Sequence, residues 1–232
     1  MYFRAENYGF AFNFEHFFVN LIDLAIMVKD IYIVRHGQTD YNLRGIVQGS
    51  GVDASLNDTG RKQAEEFFKA FGDFPFDKLY ISTLKRTQES VKGFIDKGMP
   101  YEKLSGLNEI SWGTREGQPF TPEENKYYYS MLERWKHGET SLPVEGGESP
   151  DQVAIRQLDA MKYIMSKEGE KKVLICMHGR AMRILLAQLF NYPLSDMDIF
   201  EHSNLAMYHI RATENMFQLV KYNDRGHLGD II

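Results

Sequence analysis

A single cysteine in 232 residues rules out an intrachain disulfide, and with it the small scaffolds that depend on such links. Cys176 sits in the apolar run Val173, Leu174, Ile175, Cys176, Met177, so it reads as a small buried hydrophobe in a protein of the reducing cytosol. An excess of positive charge is missing too. Lys and Arg number 27 against 32 Asp and Glu, a net charge of -5, which argues against a general binder of nucleic acid or of anionic membranes. No uninterrupted apolar stretch reaches the roughly 18 residues of a membrane span. Internal repeats, low-complexity tracts and the His-rich or paired-carboxylate spacings of metal sites are likewise lacking. What remains is an ordinary globular composition, 43% hydrophobic and 25% charged, in a chain long enough to bury its own core.

Residues 1–28 read as an N-terminal extension, because aromatics crowd there as nowhere else: Tyr2, Phe3, Tyr8, Phe10, Phe12, Phe14, Phe17 and Phe18. The apolar part from Phe17 to Met27 is broken by Asn20 and Asp23. Neither a basic leader beyond Arg4 nor a small-residue cleavage site accompanies it, which speaks against a secretory signal. Two readings stay open: an upstream start, with Met27 opening the protein, or an added helix that docks on the domain or on a partner.

From residue 29 to 232 apolar strands alternate with amphipathic helices. Ile31–Val34 predicts a buried parallel strand. Gly60–Phe71 predicts a helix, with Ala64, Phe67, Phe68 and Phe71 on one face. Leu79–Ile81 is the second strand, after which Ser82 is placed to cap a helix through Leu84, Val91, Phe94 and Ile95. Helices follow over 121–138 and 150–167, then a third central strand, Val173–Met177, and a helix, Gly179–Phe190. Leu205–Ala212 and Met216–Tyr222 alternate around Thr213, Glu214 and Asn215, as a closing antiparallel hairpin would. The pattern implies an α/β fold, a three-layer α/β/α sandwich with a mostly parallel central sheet and a C-terminal antiparallel hairpin.

In such sheets ligands lie beyond the carboxyl ends of the strands. Strand one ends in Arg35, His36, Gly37. Strand two leads through Ser82 to Arg86, and strand three ends in His178, Gly179, Arg180. If the sheet sets these ends side by side, two histidines and two or more arginines converge on a site for an anion. Arginine's planar fork fits phosphate bidentately, and N–H groups at the starts of the following helices would add to it. A histidine set among cations is held neutral, so a ring nitrogen can attack phosphorus, and His36 fits that role. Gly37 would leave room for phosphate to approach the backbone. The bland alternatives are a helix-face ion pair of Arg86 with Glu89 or Glu65, and an exposed carboxylate at Glu109.

These residues resemble the histidine phosphatase superfamily, also called phosphoglycerate mutase-like. Six blocks carry the resemblance in order: Arg35-His36-Gly37-Gln38-Thr39 with Asn42; Gln48-Gly49 with Asp53, Leu56, Gly60 and Gln63-Ala64; Ser82 with Leu84, Arg86 and Thr87; Leu107-Asn108-Glu109-Ile110 with Gly113 and Glu116-Gly117; Gly146-Gly147-Glu148-Ser149; and Met177-His178-Gly179. The resemblance implies a phosphoglycerate mutase-like fold with a helical roof insertion at about 110–150, and a phosphohistidine formed on His36. Arg35, Arg86, His178 and Asn42 correspond to the groups that hold the phosphoryl oxygens. Glu109 corresponds to the proton donor, and Gln48, Thr39 and Gly179 are placed against the substrate. No metal and no cofactor are implied, since arginines supply the positive charge.

The resemblance also frames the competing activities. A phosphomonoesterase releases phosphate to water, whereas a cofactor-dependent phosphoglycerate mutase returns it to another hydroxyl; a binding module with decayed catalytic residues is the third class. Glu109 and His178 stand 69 residues apart, shorter than the interval of the family's mutases, and Gln38-Thr39 and Gly147-Glu148-Ser149 resemble its phosphatase branch. Arg180 departs from many relatives, which carry a small residue after His-Gly. It either reaches into the pocket toward a second anionic group or points to solvent. Tyr127, Tyr128, Tyr129 and Trp135 serve the roof by packing or by stacking on substrate, with Arg115 and Lys136 as candidate specificity contacts, and His16, His137, His202, His209 and His227 read as surface or structural residues. The expected partner is a small phosphorylated substrate, with neither nucleic acid nor membrane, in a cytoplasmic protein that is a monomer or a homodimer.

Overall fold

Along Lys29–Arg35, the first strand (β1), side chains alternate between two cores: Ile31 and Ile33 enter one, Tyr32 and Val34 the other, and all four are buried. A strand apolar on both faces needs helices on both sides, and the rest of the chain supplies them. The computed structural model describes residues 28–119, 121–213 and 216–231. After β1 come a one-turn helix α1 (Asp40–Leu43), α2 (Asp58–Phe71), β2 (Lys78–Ile81), α3 (Lys85–Ser90), α4 (Lys92–Asp96) and β3 (Tyr101–Lys103). Then follow α5 (Pro122–Lys136), α6 (Pro150–Met165), β4 (Lys172–Met177), α7 (Gly179–Leu189), β5 (Met207–Thr213) and β6 (Met216–Asp224).

The six strands lie in the order β3-β2-β4-β1-β5-β6. The first four are mutually parallel, and β5 and β6 are antiparallel, so the sandwich with its closing hairpin is the architecture observed. One face packs Ile31, Ile33, Val173, Ile175 and Ile210 against α6 and α7; the other packs Tyr32, Val34, Leu79, Ile81, Leu174 and Cys176 against α2 and α4. Each fully buried aliphatic of this kind contributes about 1.5–3 kcal/mol. Cys176 is such a residue, with burial raising its thiol pKa. The extension (1–27), His16 and the hairpin turn at Glu214 and Asn215 lie outside the described residues.

Local chemistry sets the helix starts. Asn57 accepts from the Gly60 N–H ahead of α2, Thr121 with Pro122 opens α5, and Ser149 forms a capping box with Gln152 at α6. Lys29 is buried and donates through Nζ to the carbonyls of Ile164 (2.6 Å) and Lys167 (3.0 Å), closing the other end of α6. Three features depart from the sequence pattern. The helix after β2 begins two residues later than expected, because Leu84 occupies the cap position while Ser82 Oγ accepts its N–H at 3.1 Å. It also breaks at Val91 (φ -117°, ψ 18°) into α3 and α4. The edge strand β3 escaped notice because it has three residues, two of them exposed, and so no apolar run.

The chain crosses itself closely where the segment after β1 meets α2. A Cβ on Gly60 would stand 2.1 Å from the Gln38 carbonyl oxygen, and one on Gly37 would stand 2.8 Å from the Gly60 oxygen. Backbone atoms cannot rotate away as side chains can. Gly60→Ala is therefore expected to destabilise the fold by about 1–3 kcal/mol, read by urea denaturation. A variant as stable as the parent would show that the crossing is looser than described.

Candidate active site

Strand register brings the two histidines together. Arg35 pairs with Met177 across β1 and β4, so His36 and His178 leave adjacent strands at the same level, one residue beyond each. The His36 N–H donates to the Met177 carbonyl (3.0 Å), and the two rings lie 5.2 Å apart. Ile81 pairs with Cys176, which brings Ser82 to the same edge. Because β5 runs the other way, its beginning lies at this edge too, and the residues just before it, His202 and Asn204, join the site. Inspecting only the residues after strands misses both of them; the signal that finds them is the antiparallel hairpin itself.

His36 is buried, and its Nδ1 lies 2.7 Å from the Gly37 carbonyl oxygen, which can only accept. Nδ1 therefore carries the proton of the neutral ring and Nε2 carries the lone pair. Burial, then the charges of Arg86 and Arg35, hold the ring well below the ordinary histidine pKa. The segment after it is tied down along its backbone: Gly37 N–H donates to Ser90 Oγ (2.8 Å), Gln38 N–H to Gln63 Oε1 (2.9 Å) and Thr39 N–H to Asn42 Oδ1 (3.2 Å), while Asn204 Nδ2 donates to the His36 carbonyl (2.8 Å). The glycine at 37 also serves the crossing with Gly60, where a Cβ would stand 2.8 Å from the Gly60 oxygen.

Arg86 is wholly buried and pairs with neither Glu89 nor Glu65. Its Nε donates to His178 Nδ1 (3.1 Å), Nη1 to the Val52 carbonyl (2.6 Å) and Nη2 to the Gly49 carbonyl (3.1 Å). With its amide nitrogen toward Thr39 Oγ1 (2.7 Å), Gln48 also turns its oxygen to Nε and Nη1 of Arg86, at 2.7 and 3.0 Å. Thr39 is fully buried and supports Gln48 and the α1 cap from behind the site, whereas Asn42 is half-buried, with its Oδ1 also 3.4 Å from Asn204 Nδ2. Accepting from Arg86 makes His178 Nε2 the donor to Ser82 Oγ (2.8 Å), and Ser82 in turn donates to Thr87 Oγ1 (2.9 Å). His178 is held neutral by burial, then by Arg86, His36 and Arg35.

Glu109 is 7% exposed and sits at the start of α7. Its Oε1 accepts from Ile110 N–H (3.0 Å) and Ala181 N–H (2.8 Å), and its Oε2 from Arg180 N–H (3.1 Å). The helix-start donors expected to serve phosphate therefore hold this carboxyl group. Gly179 packs against His202, where a Cβ would stand 2.8 Å from the ring. His202 Nδ1 lies 3.3 Å from Arg35 Nη1, and its pKa is lowered by burial, then by Arg35, Arg183 and Arg180.

Arg180 does not face solvent: it is 7% exposed and paired with Asp198, which also pairs with Arg183. In the roof Trp135 is buried and packed against Trp112, and Tyr128 lies against Trp112 at 4.9 Å, whereas Tyr129 is exposed. Arg115 is spent on Glu124, Glu145 and the Tyr127 ring, and Lys136 is exposed. Among the other histidines His137 is exposed, His209 bonds Asp30 and His227 bonds the Leu205 carbonyl.

The family and its named phosphatases place this fold among the phosphoric monoester hydrolases. Residues 31–225 match the model of the histidine phosphatase superfamily (branch 1), and the chain belongs to that family. It is 31% identical to the broad-specificity phosphatase YOR283W of Saccharomyces cerevisiae, over 86% of this chain and 87% of the yeast protein. It is 29% identical to a 2,3-bisphosphoglycerate-dependent phosphoglycerate mutase of Cytophaga hutchinsonii, over 68% and 76%. The solved structure of Bacillus stearothermophilus YhfR superposes with a TM-score of 0.76 at 24% identity, covering 86% of this chain and 99% of that one.

The neutral rings fix a pH dependence. His36, His178 and His202 stay unprotonated in the folded protein, while the same residues in the unfolded chain take up protons near pH 6.5. Below that pH the unfolded state binds more protons, so stability falls as pH falls, by up to about 1.4 kcal/mol per pH unit for each ring. Urea unfolding measured from pH 7 to 5 is expected to follow this slope and to flatten in His202→Asn; an unchanged slope would mean that His202 titrates alike in both states.

Proposed function

We propose that the protein hydrolyses a small phosphorylated metabolite through a phosphohistidine intermediate on His36, in the cytosol, without a metal or nucleic-acid partner. The observation that carries this reading is the tautomer of His36: with Nδ1–H donating to the Gly37 carbonyl, the Nε2 lone pair is left for attack between two guanidiniums. Arg35 and Arg86 would hold the equatorial oxygens, where charge spreads as the ester bond breaks. His178 Nδ1 accepts from Arg86, so its part is to fix that guanidinium toward the phosphate.

The chemistry balances in two steps. An N–P bond forms at Nε2 while the P–O ester bond breaks, and the leaving alkoxide takes a proton from the Glu109 carboxyl. Water then attacks phosphorus, returns a proton to Glu109 and frees phosphate as the N–P bond breaks. The 69-residue interval from Glu109 to His178 and the yeast phosphatase relative support transfer to water.

Rapid mixing with labelled substrate, quenched in alkali, is expected to trap an acid-labile phosphoenzyme that His36→Ala lacks, with turnover reduced by at least about 10³-fold. Glu109→Gln is expected to slow alkyl phosphate esters by about 10²–10⁴-fold and p-nitrophenyl phosphate far less, since that leaving group needs no proton. Equal losses on both would remove Glu109 as the acid. Given 3-phosphoglycerate with a trace of 2,3-bisphosphoglycerate, the protein should release phosphate; 2-phosphoglycerate without phosphate would make it a mutase.

A further inference from the structure

Arg180 and Arg183, three residues apart on the first turns of α7, converge on one oxygen of Asp198 in the 3-10 turn Leu194–Ile199. Two cations facing one carboxylate leave an excess positive charge; Arg180 is 7% exposed, whereas Arg183 and Asp198 keep 22% and 36% of their side-chain surface open, so the pair is both under-neutralised and reachable by an added anion. Arg180 lies 5.9 Å from the Trp135 ring and beside the Tyr128 hydroxyl, under the roof helix α5. Arg183 Nε is a buried donor without an acceptor among the described residues, and so is Nε of Arg35. The pair adjoins the phosphoryl cradle. Arg180 follows His178-Gly179 directly, its N–H donates to Glu109, and His202, which packs on Gly179 and meets Arg35, has the guanidiniums of Arg183 and Arg180 near its ring.

Resting on the phosphatase reading above, we propose that Arg180 and Arg183 form a subsite for a second anionic group of the substrate, a carboxylate or a second phosphate, with Asp198 as the resident counter-charge that this group replaces. A guanidinium fork matches either group bidentately, and His202 stands between Arg35 and the pair, so a group next to the phosphoryl cradle meets Arg180 and Arg183 first. Specificity then follows from charge: an ester of the same skeleton without the second anionic group leaves the pair with Asp198 alone and gains nothing there.

The test compares kcat/KM within two matched pairs, 3-phosphoglycerate against glycerol 3-phosphate and fructose 1,6-bisphosphate against fructose 6-phosphate. The unmodified protein is expected to favour the more anionic member of at least one pair by about tenfold or more, and which pair responds separates carboxylate from phosphate. Arg180→Met and Arg183→Met are expected to reduce that preference by at least about fivefold, chiefly through KM, and Asp198→Asn to increase it. Equal preference in the unmodified protein, or losses that scale both members of a pair together in all three variants, would overturn the subsite and leave the triad a structural tie. Hydrolysis of p-nitrophenyl phosphate that depends on His36 tests the phosphatase reading separately. Should that hydrolysis be absent, calorimetric binding of 3-phosphoglycerate and glycerol 3-phosphate, with and without Arg180→Met, decides the subsite on its own.

Discussion

Arg86 is a guanidinium with no exposed surface, and a guanidinium cannot shed its proton to make burial cheap. Everything around it is arranged to answer that charge. The carbonyls of Gly49 and Val52 turn inward to accept from it, which folds the 48–53 loop under the site, and Asp53 on that loop accepts the Lys85 N–H at the start of the helix that carries Arg86. Glu116 fills the space left by Gly49 and Gly51, close enough that a Cβ on either would meet its carboxylate. His178 must offer a lone pair to Arg86, so its proton sits on Nε2 and runs into Ser82, Thr87 and the Leu84 carbonyl. One buried charge thereby sets a loop, a tautomer and a helix start, and the same charge helps keep His36 neutral.

The sheet was legible in the sequence because its strands are buried on both faces and so appear as unbroken apolar runs, as at Ile31–Val34 and Val173–Met177. Their ends were legible too, since the rule that ligands sit at carboxyl ends picks out Arg35-His36 and His178 without any contact information. Contacts between polar side chains far apart in sequence were not. Ser90 looks like an ordinary helix residue, and Gln63, though part of a motif block, shows that it anchors the backbone after His36 only where helix, strand and loop meet. His202 and Asn204 were hidden for a topological reason, because they precede an antiparallel strand. Nor was the close crossing at Gly37 legible; the small size of that glycine answers to Gly60, 23 positions away, as well as to its place beside His36.

The position of Glu109 rests on two consecutive residues of α6. Arg156 spends all five of its N–H groups: Nε and one Nη2 proton on the Glu148 carboxylate (2.8 and 3.0 Å), the others on the carbonyls of Gly106 (2.9 Å), Asn108 (2.9 Å) and Glu109 (3.0 Å). A lysine has neither the fork nor the number of donors to do this. The next residue, Gln157, is buried and donates to the Ala181 carbonyl (2.7 Å), in the turn of α7 whose N–H groups receive the Glu109 carboxylate. One helix therefore fixes both the loop that carries Glu109 and the helix start that holds its oxygens. The Glu109 carboxylate is placed by main-chain donors and its loop by a saturated arginine, and none of these contacts uses the roof aromatics Tyr127, Tyr128 or Trp135. Such a division would let the reacting groups stay rigid while the proposed subsite of Arg180 and Arg183 selects what is accepted beside them.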